Sequence, residues 1–482
     1  MNSLTEVRVG LLSLERFESV LDEEQMREAR ATAEALRERL ARRVVWNVNS
    51  TAVGGGVAEM LQSLLSYTRS AGIDTRWMVI EGNPEFFRIT KRLHHALHGS
   101  PGDGSPLGAA ERKIYEETAR VNAVELASLV RPGDVVLLHD PQTAGMAAQL
   151  VGTGAHVVWR CHIGHDSTNA QVEEAWAFLR PYLDLIPAYI FTRDAYVPDF
   201  CDHGKSTIIR PSIDVFSPKN QELDDEAIRA ILVHTGIVEG SVGEDQVPSF
   251  RRDDGTPSRV ERRADVVRLG RAPSMETPLV VQVSRWDPLK DPVGVMRGFA
   301  KLVDGASPAQ AELVLAGPNV SGVTDDPEGG ATFDAVLAEW REMPHAVRSR
   351  IHLATLPIRD VAENAAIVNA LQRHAAIVVQ KSLHEGFGLT VTEAMWKSRP
   401  VVASAVGGIQ DQIEDGVNGV LLEDPEDLAA FASVLRDLLL DPDRARRLGD
   451  AAHEQVRRNF LGVGHLLQYA HLIERLDGQA RW

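Results

Sequence analysis

Short apolar runs alternate along this chain with longer stretches in which apolar residues recur at helical spacing. The first series of runs covers 44–48, 76–80, 134–138, 156–160, 188–191 and 207–209. A second covers 278–284, 312–316, 350–353, 376–380 and 400–403. Runs of this length, separated by amphipathic segments, predict buried strands joined by helices, hence βαβ units and parallel sheets. Ahead of the first run, residues 16–43 lack Gly and Pro and carry apolar residues at Phe17, Val20, Leu21, Met26, Leu36 and Leu40. That spacing predicts one long, loosely amphipathic helix, read as a packing or lid helix. After the last run the pattern predicts helices over 426–440, 442–458 and about 463–477.

The two series are separated by residues 211–220, which hold two prolines and read as a hinge. A polar segment over roughly 238–277 reads as an exposed insertion. The fold class expected is α/β: two Rossmann-like domains facing a deep interdomain cleft. The N-terminal domain is expected to span 1–214, completed by the C-terminal helix at about 463–482, and the second domain to span 215–462. At 482 residues the chain exceeds what one hydrophobic core usually supports. Open α/β sheets bind ligands beyond the carboxyl ends of their strands, so the residues there carry the functional argument.

Composition narrows the chemistry. A formal net charge of −17 disfavours nucleic acid and anionic membrane as partners, and makes any local group of cations informative. Only Cys161 and Cys201 occur, too few for a disulfide framework, so the cytoplasm is the expected location. No apolar stretch has the length of a membrane span. No C-x-x-C, H-E-x-x-H or G-x-S-x-G pattern appears, so zinc and α/β-hydrolase chemistry lack support.

Four places at predicted strand ends carry chemistry. The first is Glu385-Gly-Phe-Gly-Leu-Thr-Val-Thr-Glu393, after the run 376–380 and opening a helix near Thr390. Its glycines permit close backbone approach, and free N–H groups at a helix start attract anions. Glu385 is placed to accept hydrogen bonds from sugar hydroxyls, and Glu393, about one turn into the helix, to bind a vicinal diol such as a ribose. Alone, the pattern also describes an ordinary strand–turn–helix junction. The second is Ser284-Arg285-Trp-Asp-Pro-Leu-Lys290-Asp291. Arg285 and Lys290 together suit a diphosphate, although solvated charges are common in loops. The third is Gly54, Gly55 and Gly56 between the first strand and its helix, a tight turn that also allows a ligand near the backbone. The fourth is Trp159-Arg-Cys-His162, whose histidine suits a sugar hydroxyl or a purely structural role. His139-Asp140-Pro-Gln adds Asp140 as a candidate carboxylate beside Glu81.

Taken together these pieces resemble the retaining GT-B glycosyltransferases of family four, which share two glutamates separated by seven residues and an upstream Arg and Lys. Segments 49–59, 77–87, 159–162, 211–214 and 385–396 narrow the resemblance to the trehalose-forming branch, over about residues 20–475. The resemblance implies an NDP-glucose donor (UDP-, ADP- or GDP-glucose) in the C-terminal domain and glucose as the acceptor in the N-terminal domain. It implies diphosphate binding by Arg285 and Lys290, and ribose binding by Glu393. Glu385, with the backbone at Phe387, Gly388 and Leu389, would hold the donor sugar. His162 would contact that sugar, and the 54–56 loop would approach the phosphates. The expected reaction is reversible, α-retaining transfer that forms α,α-trehalose. No cofactor is required by this expectation; a divalent cation such as Mg2+ enters only as an activator. A homodimer is the expected assembly. The residues leave open a related enzyme with a sugar-phosphate or secondary-metabolite acceptor, and a non-catalytic nucleotide-sugar-binding protein.

Overall fold

The computed structural model describes residues 4–52, 56–241, 243, 246–304, 310–320 and 327–479. The chain divides into two compact units. One comprises Met1–Ser212 with Phe460–Trp482, the other Ile213–Asn459. The two free cysteines, Cys161 and Cys201, are both buried in the first unit.

The N-terminal unit is built on seven strands: β1 (Leu4–Val7), β2 (Val45–Asn49), β3 (Thr75–Ile80), β4 (Val135–His139), β5 (His156–Cys161), β6 (Ala188–Phe191) and β7 (Ser206–Ile208). Their order across the sheet is β1-β3-β2-β4-β5-β6-β7. Only β1 runs antiparallel, against β3. The remaining strands are parallel; β2, β4, β5 and β6 are buried on both faces almost throughout, which is why their sequences read as nearly continuous apolar runs, while β7 at the far edge is only partly buried. The strand order reverses between β2 and β4, the switch point beyond which ligands bind in such sheets. Helix Gly462–Gln479 returns to this unit and packs Leu466, Tyr469, Leu472 and Ile473 against Val45, Val135, Leu137 and Val158 of the sheet.

The C-terminal unit contains a small hairpin of β8 (Ser249–Arg251) and β9 (Pro257–Arg259). Its main sheet consists of β10 (Asp265–Val267), β11 (Leu279–Val283), β12 (Glu312–Pro318), β13 (Ile351–Leu356), β14 (Ile377–Gln380), β15 (Val401–Ser404) and β16 (Val420–Leu422). The order β10-β13-β12-β11-β14-β15-β16 is Rossmann topology with an antiparallel edge strand, β10. Here the switch point lies between β11 and β14.

Three expectations need correction. The long helix over 16–43 is two elements: a 3-10 turn, Leu14–Ser19, and helix Glu23–Arg39. Asp22 separates them because its carboxylate accepts from Gln25 N while the Gln25 side chain reaches back to Asp22 N, a reciprocal cap that starts a new helix. The 238–277 segment is not simply an exposed insertion. Phe250 and Val260 are buried, Arg252 pairs with Asp360, and Glu363 accepts from the backbone N–H groups of Glu261 and Arg262. The second half of the 211–220 segment is fastened to the C-terminal unit. Asn369 donates to Pro218 O at 3.1 Å, and Trp396 Nε1 to Asn220 O at 3.1 Å.

Candidate functional site

In the C-terminal unit the loops after β11 and β14 converge through specific side chains. Gln282, buried near the end of β11, donates to Lys290 O at 2.8 Å and braces the first loop from beneath. Asp287 accepts from Leu289 N at 2.8 Å and turns the chain. Asp291 then caps helix Pro292–Val303 by accepting from Gly294 N at 3.0 Å. The Asp291 backbone is left-handed, with φ 47°. Fully buried Lys381, at the end of β14, pairs with the same Asp291 carboxylate and donates to Pro425 O at 2.5 Å. This buried ion pair joins the two loops at their roots.

Above it, Lys290 Nζ donates to Glu385 Oε2 at 2.7 Å, and both side chains are largely shielded. Ser382 Oγ approaches the same oxygen at 3.3 Å. The expected cation and the expected sugar-binding carboxylate are therefore neighbours. Arg285 is different. It is 66% exposed and reaches Asp287 at 3.2 Å. Gly388, with φ 84°, caps helix Leu389–Trp396 without a side-chain bond. A Cβ there would lie 3.1 Å from Ile409 Cγ1 and 3.2 Å from Glu385 Cγ, so both conformation and space call for glycine. Gln412 holds the turn in place. Its Nε2 donates to Phe387 O at 2.5 Å, and its Oε1 accepts from Thr392 at 2.6 Å.

Glu393 is buried in this helix, 3.5 Å from Lys219 Nζ. Beneath it, buried Lys397 donates to Glu393 O at 3.0 Å, Asn220 Oδ1 at 3.0 Å and Gln372 Oε1 at 2.8 Å. Burial pushes the Lys397 ammonium down to about 7, with the cations Arg373 and Lys219 acting in the same direction and Glu393 opposing them.

In the N-terminal unit the residues beyond the switch point are mostly neutral. His139 closes β4 and is buried. Its Nε2 lies 3.2 Å from Asn47 Oδ1, and its Nδ1 lies 3.0 Å from His162 Nε2. Asp140 has φ 63° and its Oδ1 accepts from His162 N at 2.8 Å. Burial pushes the Asp140 carboxyl up to about 7. It also pushes His139 down to about 3 and His162 well below the ordinary histidine range, in each case with help from the Arg160 guanidinium. Arg160 is itself fully buried. It donates to His465 Nε2 at 2.9 Å and to the Tyr469 hydroxyl. His465 Nδ1 lies 2.9 Å from Ser212 Oγ.

Glu81 stands apart from this network. Its side chain is exposed, and its backbone N–H and C=O are both bonded to Asn122. Gly54 and Gly55 lie outside the described residues, while Gly56 begins helix Gly56–Ser70. Sequence reasoning missed Asn47, Lys219, Lys381, Lys397 and Gln412. Asn47 left a signal, a polar residue inside an apolar strand run. The others acquire their partners only through the fold. Among the described residues no group of three or more His, Cys, Asp or Glu is arranged to hold a metal ion, and no helix is long and apolar enough to cross a membrane.

Two Rossmann-like units, each presenting polar loops beyond its switch point, make this a GT-B glycosyltransferase fold. A solved α,α-trehalose-phosphate synthase from Burkholderia vietnamiensis superposes with a TM-score of 0.63 over 91% of this chain and 98% of that one, at 16% identity. The model for the N-terminal domain of trehalose synthase matches residues 47–198, and the model for group 1 glycosyl transferases matches 361–455. A trehalose synthase from Pyrococcus horikoshii is 35% identical over 99% of this chain and 100% of its own length. The chain belongs to the trehalose synthase family of glycosyltransferases. A trehalose phosphorylase from Pleurotus pulmonarius is more distant, at 27% identity over 91% of this chain and 58% of its own length.

Proposed function

We propose that this protein is a retaining hexosyltransferase that moves glucose from an NDP-α-glucose donor to glucose, forming α,α-trehalose reversibly. The observation that carries the proposal is the convergence of Lys290, Glu385 and the helix start at Gly388–Leu389 at the switch point of the C-terminal sheet. A cation, a hydroxyl-accepting carboxylate and free helix N–H groups are what a sugar joined to a diphosphate requires.

In this reading Lys290 neutralises the diphosphate, with Arg285 adding charge from the exposed rim. Glu385 and the backbone at Phe387, Gly388 and Leu389 hold the glucosyl hydroxyls, and Glu393 takes the ribose diol. His162 contacts a sugar hydroxyl from the N-terminal unit. Asp140 and Glu81 are the acceptor-side carboxylates, and Gly54, Gly55 and Gly56 are the backbone positions assigned to the phosphates.

As the bond from the anomeric carbon to the β-phosphate oxygen lengthens, negative charge grows on the phosphate and positive charge on the sugar ring. The cation and the helix amides stabilise the former. The incoming hydroxyl attacks from the face the phosphate is leaving, and that phosphate oxygen takes its proton. No side-chain base is then needed, and positioning supplies much of the acceleration. The reading requires no resident metal; Mg2+ would act as an activator accompanying the diphosphate. A cytoplasmic location is consistent with two unpaired thiols.

The test is a donor-by-acceptor matrix of UDP-, ADP- and GDP-glucose against glucose, sugar phosphates and inorganic phosphate plus trehalose. NDP and disaccharide appearing together with glucose is the expected result. Transfer only to a sugar phosphate would change the acceptor, and phosphate-dependent trehalose cleavage without nucleotide would replace the reading with a phosphorylase.

A further inference from the structure

We infer that Asn47 and His139 are positioning residues for His162, fixing its ring in the neutral Nε2–H tautomer so that Nδ1 is offered as an acceptor to a sugar hydroxyl. This inference rests on the proposed role of His162 in the transfer site and adds the device that sets its hydrogen-bonding sense.

β2 and β4 are parallel neighbours, and Asn47 and His139 lie on the same face because residues of like parity share a face. Both are about 1% exposed, in strands whose neighbours on that face, Val45, Val135 and Leu137, are apolar. A buried polar group there costs stability unless it is paired, so the pairing pattern is informative.

The Asn47 carbonyl oxygen faces His139 Nε2 at 3.2 Å, and an amide oxygen can only accept. His139 therefore carries its proton on Nε2 and a lone pair on Nδ1. His162 Nε2, 3.0 Å from that lone pair, must then donate. One nitrogen remains on the half-buried His162 ring, Nδ1, and it is an acceptor. Two further contacts limit ring motion. The His139 and His162 rings lie within 9° of parallel at 5.4 Å, and the His162 backbone N–H is held by Asp140. Burial and the Arg160 charge disfavour protonation of either ring, which would reverse the sense of the chain. The arrangement leaves Asn47 Nδ2 buried without a partner. Such a cost is more readily tolerated where orientation matters than where a polar layer merely fills space.

The experiment compares His139→Gln with His139→Leu. A glutamine oxygen can accept from His162 Nε2 while its amide donates to Asn47, and leucine can do neither. Three quantities are read: kcat and KM for transfer from NDP-glucose, NDP affinity by calorimetry, and the side-chain nitrogen shifts of 15N-histidine-labelled protein. His162→Gln identifies the His162 signal among the sixteen histidines. The expected result is an Nε2–H signature for His162 in wild type and His139→Gln, lost in His139→Leu. With it, kcat should fall about tenfold or more in His139→Leu and recover to within about threefold in His139→Gln, with NDP affinity unchanged, since one hydrogen bond of about 1.4 kcal/mol is at stake. A wild-type His162 protonated on Nδ1, or a folded His139→Leu with full kcat, would overturn the inference. The nitrogen shifts are read without substrate, so they decide it in wild type and His139→Gln even if leucine does not fold. Loss of NDP binding or of all transfer in wild type would instead contradict the proposed function.

Discussion

Around the switch point of the N-terminal sheet stand Asn47, His139 and His162, neutral groups joined in a line; beyond that of the C-terminal sheet stand Lys290 with Glu385 and Lys381 with Asp291, charges joined in pairs. The strand orders differ; in the C-terminal unit the chemistry lies on the two loops flanking the reversal, after β11 and β14, whereas in the N-terminal unit it runs from within β2 through the end of β4 to the start of the loop after β5. The difference follows from what each side would handle. A departing diphosphate needs positive charge, and two loops paired with each other through Lys290 and Glu385 keep that charge ordered without a bare buried cation. A sugar hydroxyl needs a directed dipole, which a neutral imidazole of fixed tautomer supplies.

The sharpest way to break this contrast is to remove the charge from one side. Lys290→Ala is expected to lower turnover at least about a hundredfold, because a shielded charge-assisted contact in a transition state is worth several kcal/mol. Arg285→Ala is expected to cost only about tenfold, since an exposed cation is screened by water. Steady-state kinetics on both variants measures the gap, and equal losses would mean that exposure does not set their weights.

The next test uses titration. Each unit buries one group displaced to about 7, Asp140 in the first and Lys397 in the second, and their signs are opposite. Native Asp140 holds its proton up to about 7 while the unfolded chain releases it near 3.8, so this group lowers stability as pH rises between those values. Native Lys397 has lost its proton above about 7 while the unfolded chain keeps it to 10.5, so this group raises stability across that window. Relative to wild type, Asp140→Asn should therefore gain stability as pH rises from 5 to about 7, and Lys397→Met should lose stability as pH rises from about 7 to 9. Thermal melts across pH report both trends. Parallel pH profiles for wild type and either variant would remove that group from the account.

A smaller effect concerns backbone. Gly388→Ala is expected to cost about 1–2 kcal/mol in denaturant unfolding, from the left-handed conformation alone. It should also weaken donor binding through Glu385, whose side chain the new methyl group would touch. An unchanged unfolding midpoint would mean the loop can relax away from the conformation described.

Much of this contrast was legible in the sequence, for a physical reason. Parallel strands buried on both faces must be largely apolar, so most of the parallel strands stood out as short runs, and the charged residues following them marked the loops. What the sequence concealed depends on partners distant in the chain. The edge strands β1 and β10 are four and three residues long and pair antiparallel, too short for any period to register. The hairpin within 238–277 reads as polar loop because its anchors, Asp360 and Glu363, lie about a hundred residues further on. The expected roles of Glu385 and Lys290 named two separate contacts, whereas the fold places one against the other. His139 drew notice only as the neighbour of Asp140, and its link to Asn47, 92 residues earlier, exists only once β2 and β4 pair.

The proposed activity is transfer of glucose from an NDP-α-glucose donor to glucose with retention. Its most direct test is proton NMR of the anomeric region during incubation with NDP-α-glucose and glucose. The account predicts a single α-anomeric signal from the symmetric disaccharide, growing in step with released NDP, and regeneration of the nucleotide sugar when trehalose and NDP are supplied instead. A β-anomeric signal in the product would contradict it.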